Sequence, residues 1–421
     1  MSATARVGGN WEEGMTARTR PEEGARILTL SDLQAAVSSG AAAFRCRRRL
    51  QPGGGEGDKV FPPTFMGAVY AVEQRRVPGH EQPVTCVLLD SVQSQANRME
   101  QALLEALDAG EVTLPIVEVD FSEAALLEPV GKVTSLQVPH RLADAILRDS
   151  EHDGKPFRES EIAGSLNQAS PLNATPLYRL CPTALVFGMW DSTGPKGGLG
   201  AKFERAMVSE VTGFDASLAD FHRNRGVRRD PLEASKSVPI VKNEDGSWRV
   251  VDDPKMKGVV PPSKVNHGSV PFDVPNAGVT VGYAEQVTTL SLICLRRLRF
   301  PVSGAKADSA ADAAGRTVLA ALGLCAATLA FEAGMGLRSR CLLWPDSPMQ
   351  WELLAAPGKP PEGFTLDSAV AKKLLADAVS AAEQTGLVWQ KERIMLKPSA
   401  ELVKLVRLSQ EQQVKQGGEG E

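Results

Sequence analysis

Apolar positions along the chain switch between two periods. Val84 to Asp90 (VTCVLLD) is an unbroken apolar run of strand length, and directly after it Met99, Leu103, Leu104 and Leu107 recur at helical spacing until Gly110. These predict a buried strand, a short polar turn and an amphipathic helix. Ile27 to Ser38 predicts a short helix capped by Ser31 or Asp32. Residues 41–50 predict a strand running into a Gly-rich loop over 51–59, and Val60 to Phe65 an extended segment because of its two prolines. Val238 to Lys242 and Trp248 to Asp252 flank Asp245-Gly246, a hairpin signal, and a long Pro-, Lys- and Gly-rich loop follows to Pro275. Thr288 to Phe300 reads as a strand that starts apolar and ends basic, Ala310 to Gly334 as an Ala-rich helix, and Leu337 to Trp344 as a strand. Helices near 367–385 and 399–408 close the fold. Residues 1–25 and 410–421 lack apolar periodicity and predict disordered tails. Between Glu123 and Asp230, helical patches alternate with Gly/Pro-rich loops, the pattern of insertions on a core. No period of repeat-protein length occurs, and the elements together predict an α+β fold.

Composition narrows the class. With 421 residues, 43% hydrophobic and 23% charged, the chain has a globular make-up and room for a sizeable core. Its six cysteines are scattered with no CxxC pair, which argues against a disulfide scaffold and a structural zinc site and favours a reducing, cytoplasmic compartment. The apolar run Thr317 to Phe331 falls short of the roughly 20 residues a membrane span needs and predicts a buried helix; no membrane partner is expected.

Net charge is −4, but it is unevenly spread. Asp90 to Glu161 holds 15 acidic and 6 basic residues, whereas 41–86, 196–264 and 284–345 each carry a surplus of three basic residues. Arginine outnumbers lysine 29 to 18 and forms three compact runs: Arg45, Arg47, Arg48 and Arg49; Arg223, Arg225, Arg228 and Arg229; Arg296, Arg297 and Arg299. One such run is ordinarily a solvated face. Three of them suggest a basic groove on an acidic body, because local potential governs the approach of a polyanion.

Motifs for enzymatic chemistry are missing. There is no HExxH, GxSxG, EF-hand loop or Walker A, and no two of the five histidines have ligand spacing, so neither metal nor cofactor is expected. GPKGGLGAK (Gly194 to Lys202) approaches a phosphate loop, but Ala201 separates Gly200 from Lys202. Its backbone N–H groups, Lys196 and Lys202 could still face phosphates, and KFERAMVSE after it reads as a helix whose N-terminus, with Arg205, would add positive field.

Three stretches together resemble one family: RCRRRLQPGGGEGDKVFPPTF (Arg45 to Phe65), LLDSVQSQANRMEQALL (Leu88 to Leu104) and WDSTGPKGGLGAKFERAMVSEV (Trp190 to Val211). TSLQVPHRLADA, KVNHGSVPF and LRSRCLL support the match. The chain resembles the Cas-seven backbone subunit of the type I-U (I-G) CRISPR Cascade complex, in the RAMP superfamily. The resemblance implies a non-catalytic protein whose core, over 26–345, has RNA-recognition-motif (ferredoxin-like) topology. A helical finger region at about 111–230 and a thumb hairpin at about 235–275 decorate it, and a helical extension over 346–409 follows. It implies as partners a CRISPR guide RNA, target DNA through the guide, further copies of the chain, a large subunit and a subunit that caps a guide end.

On this reading the guide is held by Arg45, Arg47 and Arg49, which alternate to one face of a strand, with Gln51 and Lys59 beside them. Ser91, Gln93, Ser94, Asn97 and Arg98 would act at the helix start after VTCVLLD. Plain capping by Ser91 or Ser94 is the simpler alternative there. The other expected contacts are His140, Arg141, Lys196, Lys202, Arg205, Lys264, Asn266 and His267. With only 3 Tyr and 13 Phe, and arginine at the strand ends, backbone and shape recognition is expected over base stacking on sheet aromatics. The competing reading is a metal-independent endoribonuclease that processes the guide precursor through His140, His222 or His267; a third is a phosphate-binding enzyme that depends on Lys202.

Overall fold

Strict alternation along two strands separates the faces of the main sheet. The computed structural model describes residues 25–419 apart from 68, 193–201, 219–222, 229–230, 233, 244, 266, 268–269, 276–277 and 303–307. Its larger unit contains, in chain order, α1 (Leu30–Ser38), β1 (Ala43–Pro52), β2 (Val72–Arg75), β3 (Val84–Asp90), α2 (Val92–Asp108), β4 (Met207–Phe214), β5 (Tyr283–Ser291), α3 (Ser309–Glu332), β6 (Met335–Arg338), β7 (Cys341–Pro345), β8 (Gln350–Leu354), β9 (Glu362–Thr365) and α4 (Ser368–Glu383).

The strands form one sheet in the order β9-β8-β1-β5-β4-β3-β2, with β7 pairing the end of β1 and β6 pairing β7. Along β5, Ala284, Gln286, Thr288 and Leu290 are buried while Tyr283, Glu285, Val287 and Thr289 are half-buried on the other side. Along β1, Phe44, Cys46, Arg48 and Leu50 face in while Arg45, Arg47, Arg49 and Gln51 face out. The helices cover the inner face: α2 and α3 pack on each other and on β4 and β5, and α1 and α4 pack on α3. Of the described helices, α3 is long and apolar enough to cross a membrane, yet 78% of its most apolar window is buried in this fold. A five-stranded sheet in the same unit runs Lys155–Pro156, Ser150–His152, Ile394–Pro398, Val117–Asp120, Lys132–Thr134. All six cysteines are free, and burial pushes the Cys46 thiol up to about 12.

The second unit comprises 124–129, 218–278 and 400–421. It holds an antiparallel ribbon of Arg223–Arg228 against Val270–Pro275 and a three-stranded sheet in which Ile240–Lys242 pairs with Trp248–Val250 and Val259–Val260. It also holds the helix Ala400–Glu419, whose Gln410 Oε1 accepts hydrogen bonds from the Leu127 and Glu128 amides at 2.9 and 3.2 Å.

Several sequence expectations need correction. The strand expected over 288–300 stops at Ser291, whose hydroxyl accepts from the Cys294 amide and starts the short helix Leu292–Arg296. The expected strand over 337–344 is two, β6 and β7, reversed at Arg340 with φ 57°. KFERAMVSE is not helical: Lys202–Phe203 and β4 are both strands, so no helix N-terminus supports the Gly-rich loop. The stretch 111–230, expected as a finger insertion, contributes β4 to the centre of the sheet. The region 346–409, expected as a helical extension, supplies β8, β9 and Ile394–Pro398. The 253–275 loop carries a ribbon strand, and the last helix continues to Glu419 through the stretch expected to be a tail.

Candidate functional site

The outer face of the main sheet carries the arginine row. Arg45 Nε lies 2.7 Å from Glu352, Arg47 Nη2 lies 2.8 Å from Glu285, and Arg49 lies 3.9 Å from Asp346. Strand pairing places these acids: Arg45 opposes Glu352 across β1 and β8, and Arg47 is diagonal to Glu285 on β5. The local basic surplus counted along 41–86 is therefore balanced in space by carboxylates from the far end of the chain. Gln51 stands opposite the exposed Trp344 on β7.

Beside the arginines is an arrangement the sequence reading did not foresee. Tyr283 and Phe214, direct partners across β5 and β4, stack with ring centroids 4.9 Å apart and planes 7° off parallel. Arg49 lies 4.5 Å above Tyr283, and Arg75 lies 5.9 Å from the Phe214 ring. The row is thus cation, ring, ring, cation; Phe214 is buried and each ring face is covered by its neighbour, so the rings fix the orientation of the two guanidinium groups, which can meet an anionic ligand. A cavity of about 290 Å³ adjoins it, lined by Arg75, Val208, Glu210, Phe214, Glu285 and Thr289 among others.

The expected cluster at the start of α2 faces elsewhere. Ser91 Oγ accepts from the Ser94 amide at 3.3 Å, an N-cap, and Gln93 is exposed. Ser94, Asn97 and Arg98 line a groove of about 540 Å³ with Gln101 and Glu105 of α2 and small residues at the end of α3. Arg98 is tied down there: its Nε donates to buried Asp90 at 2.9 Å and its Nη2 to the Leu337 carbonyl at 2.6 Å. Asp90 also accepts from Gln95 at 2.6 Å and Arg338 at 3.1 Å. A carboxylate with no exposure and three donors explains why Arg98 sits in the fold and is not splayed toward solvent.

A third group surrounds residues 187–191. Arg141, buried and with φ 51°, donates to both Glu100 oxygens at 2.7 Å and to the Gly188 carbonyl at 2.9 Å. Arg205 Nε donates to the Phe187 carbonyl at 3.2 Å. Lys202 is exposed on a strand paired with Met189–Trp190. His140 is exposed, with its backbone N–H donating to Asp144 at 3.2 Å. Lys59, half-buried, donates its backbone N–H to Asp58 at 2.8 Å and leads into Val60, which is hydrogen-bonded to Val279. In the second unit Lys264 lies exposed on a 3-10 turn, and the His267 ring packs edge-on against Trp248 at 5.3 Å. Lys196, Asn266, His222 and Arg229 lie outside the described residues. Within the larger unit the structure therefore brings Arg45, Arg47, Arg49 and Gln51 together on one face of the sheet, and Ser94, Asn97 and Arg98 together in a different groove.

The run at Arg296, Arg297 and Arg299 is engaged internally: Arg296 donates to the Ser39 and Ala41 carbonyls, Arg297 pairs with Glu204, and Arg299 pairs with Asp312 at 2.8 Å. Among the described residues no group of three His, Cys, Asp or Glu side chains could hold a metal ion.

Fold and site together define an α+β protein that presents an arginine- and aromatic-bearing sheet face backed by a helical layer. The family model described as CRISPR-associated protein GSU0053 matches residues 44–218, a segment that begins in β1 and runs past β4. Over that segment the chain is similar to a CRISPR-associated protein of the Cas-seven type, consistent with subtype I-U, and the match supports a role in CRISPR defence. No curated protein matches the chain.

Proposed function

We propose that the chain is a non-catalytic backbone subunit that binds CRISPR guide RNA and lines up with further copies of itself in a type I-U Cascade complex of the cytoplasm. The observation that carries this reading is the outer sheet face, where Arg45, Arg47 and Arg49 stand in line next to the Tyr283–Phe214 stack. Their carboxylate partners do not oppose it. A solvent-exposed ion pair is worth about 0–1 kcal/mol, so a phosphate can take over a guanidinium at little cost, and the acids keep the arginines extended until it does.

Chain order supports a RAMP-type, RNA-recognition-motif-like core. With β1, β4, β5 and the β7/β8 edge as the four core strands, the last lies beside the first, the third flanks the first on its other side, and the second lies beyond the third. The two core helices, α2 and α3, fall before the second and fourth core strands on the same face, and β2–β3 are an insertion ahead of α2. Guide pairing with target DNA, and contact with a large subunit and an end-capping subunit, belong to the same proposal.

The test is purification of the full chain with and without a guide. RNA that co-purifies, an elevated absorbance ratio and elongated assemblies support the reading; a strictly monomeric protein indifferent to guide RNA at low salt rejects it. Affinity should also fall with salt at a log-log slope of about −0.7 for each phosphate contacted.

A further inference from the structure

Trp190 is 56% exposed, although the backbone on both sides of it is held by side chains. Upstream, the Phe187 and Gly188 carbonyls are held by Arg205 and Arg141. Gly188 has φ 84°, and a Cβ there would lie 2.8 Å from Arg205 Cγ, so the chain passes tightly against the arginine. Downstream, Asp191 is buried and pairs with Arg158 at 2.6 Å. Trp190 itself is in register with Lys202, whose Nζ lies 5.9 Å from the indole centroid, while Phe203 turns into the core. The nearby carboxylates of Asp191 and Glu204 are matched by Arg158 and Arg297. Among the described residues beside the indole, Lys202 thus leaves a positive surplus.

A large planar ring exposed to water on a fixed backbone, with a cation over one side of it, is matched to a ligand with a planar π-face and an anionic linker. An unpaired nucleotide has both. We propose that Trp190 is a stacking platform for one unpaired base of single-stranded RNA and that Lys202 takes the phosphate next to that base. This rests on the RNA-binding reading above but concerns a separate place in the fold, and it makes recognition there partly base-dependent in contrast to the phosphate contacts of the arginine row.

The test uses the full chain and short oligouridine, compared with an abasic oligonucleotide of the same length. The wild-type protein should prefer the oligouridine; Trp190→Ala should weaken oligouridine binding roughly 5- to 150-fold and abolish the preference, whereas Trp190→Phe should keep most of it. Lys202→Ala should weaken both ligands alike and lower the salt slope by about 0.7. Photo-crosslinking of 5-bromouridine-labelled RNA to the wild-type protein should map to Trp190, a readout that needs no variant. If the protein binds RNA and Trp190→Ala binds both ligands as the wild type does, with crosslinks elsewhere, this inference is overturned and the proposed function stands. If Trp190→Ala disrupts only association between copies, the indole is a protein contact and the inference is likewise overturned. If neither ligand binds at low salt, both readings fall.

Discussion

Arg141 grips Glu100 through two parallel hydrogen bonds of 2.7 Å, and both side chains are almost wholly removed from water. Burial pushes the Glu100 carboxyl up to about 7, against the lowering pull of Arg141. Because that value lies above the ordinary 4.5, the folded protein binds a proton here that the unfolded chain does not, between pH 4.5 and about 7. The contribution of this group to stability is therefore present below pH 4.5 and lost as pH rises toward 7. Glu100→Gln should flatten that slope, which urea melts at pH 5 and pH 7.5 would show. Arg141→Ala strands the carboxylate and should destabilise by about 3–5 kcal/mol.

Arg48 breaks the pattern of its neighbours. It points to the helical face of β1, is 5% exposed, and its Nε and Nη1 find no hydrogen-bond partner among the described residues, although the guanidinium lies 5.2 Å from the Phe331 ring. Burial lowers its pKa. Arg48→Met keeps the stem packing and removes a desolvated charge. We expect it to raise the melting temperature and leave RNA affinity unchanged; a fall in melting temperature would show that an unseen partner compensates the charge.

Arg47 and Glu285 offer a test of how the outer face works. Arg47→Ala should weaken guide RNA binding and reduce the salt slope by about 0.7. Glu285→Gln frees the same guanidinium from its partner and should strengthen binding. Filter binding over a salt series checks both, and equal affinity in all three proteins would remove Arg47 from the interface.

Gly213 in β4 sits where a Cβ would come within 2.6 Å of Val281 Cγ1. Gly213→Ala should destabilise by about 1–3 kcal/mol through overpacking, read as a lower denaturation midpoint with an unchanged m-value.

How much of this was legible in the sequence differs by residue. VTCVLLD and the helix after it were, because a strand buried on both faces and an amphipathic helix write their periods into adjacent residues. β8 and β9 were not: each is four or five residues long, and Pro- and Gly-rich sequence between them reads as loop. The outward alternation of Arg45, Arg47 and Arg49 was legible, but their acids were not, since Glu285, Asp346 and Glu352 reach them only through strand pairing. Arg98 looked free because nothing local explains it, and the carbonyls it holds come from 336 and 337. Tyr283 and Phe214 escaped notice for the same reason: two unremarkable aromatics become a site only when paired across strands.

The strand order has a consequence for synthesis of the chain. β1 is flanked by β5 on one side and by β7 and β8 on the other, so none of its partners exists until residues 283–354 have been made. Within the matched segment, β1 and β4 cannot meet, because β5 lies between them. Such long-range closure makes folding slow. A ribosome must release well over half of the chain before the first core strand can pair, and until then an arginine-studded open edge is exposed in the nascent protein. Residues 44–218 expressed alone should therefore leave β1 unpaired, with β4, β3 and β2 the strands that can still pair, and delivery of β5 is the event that joins β1 to the sheet.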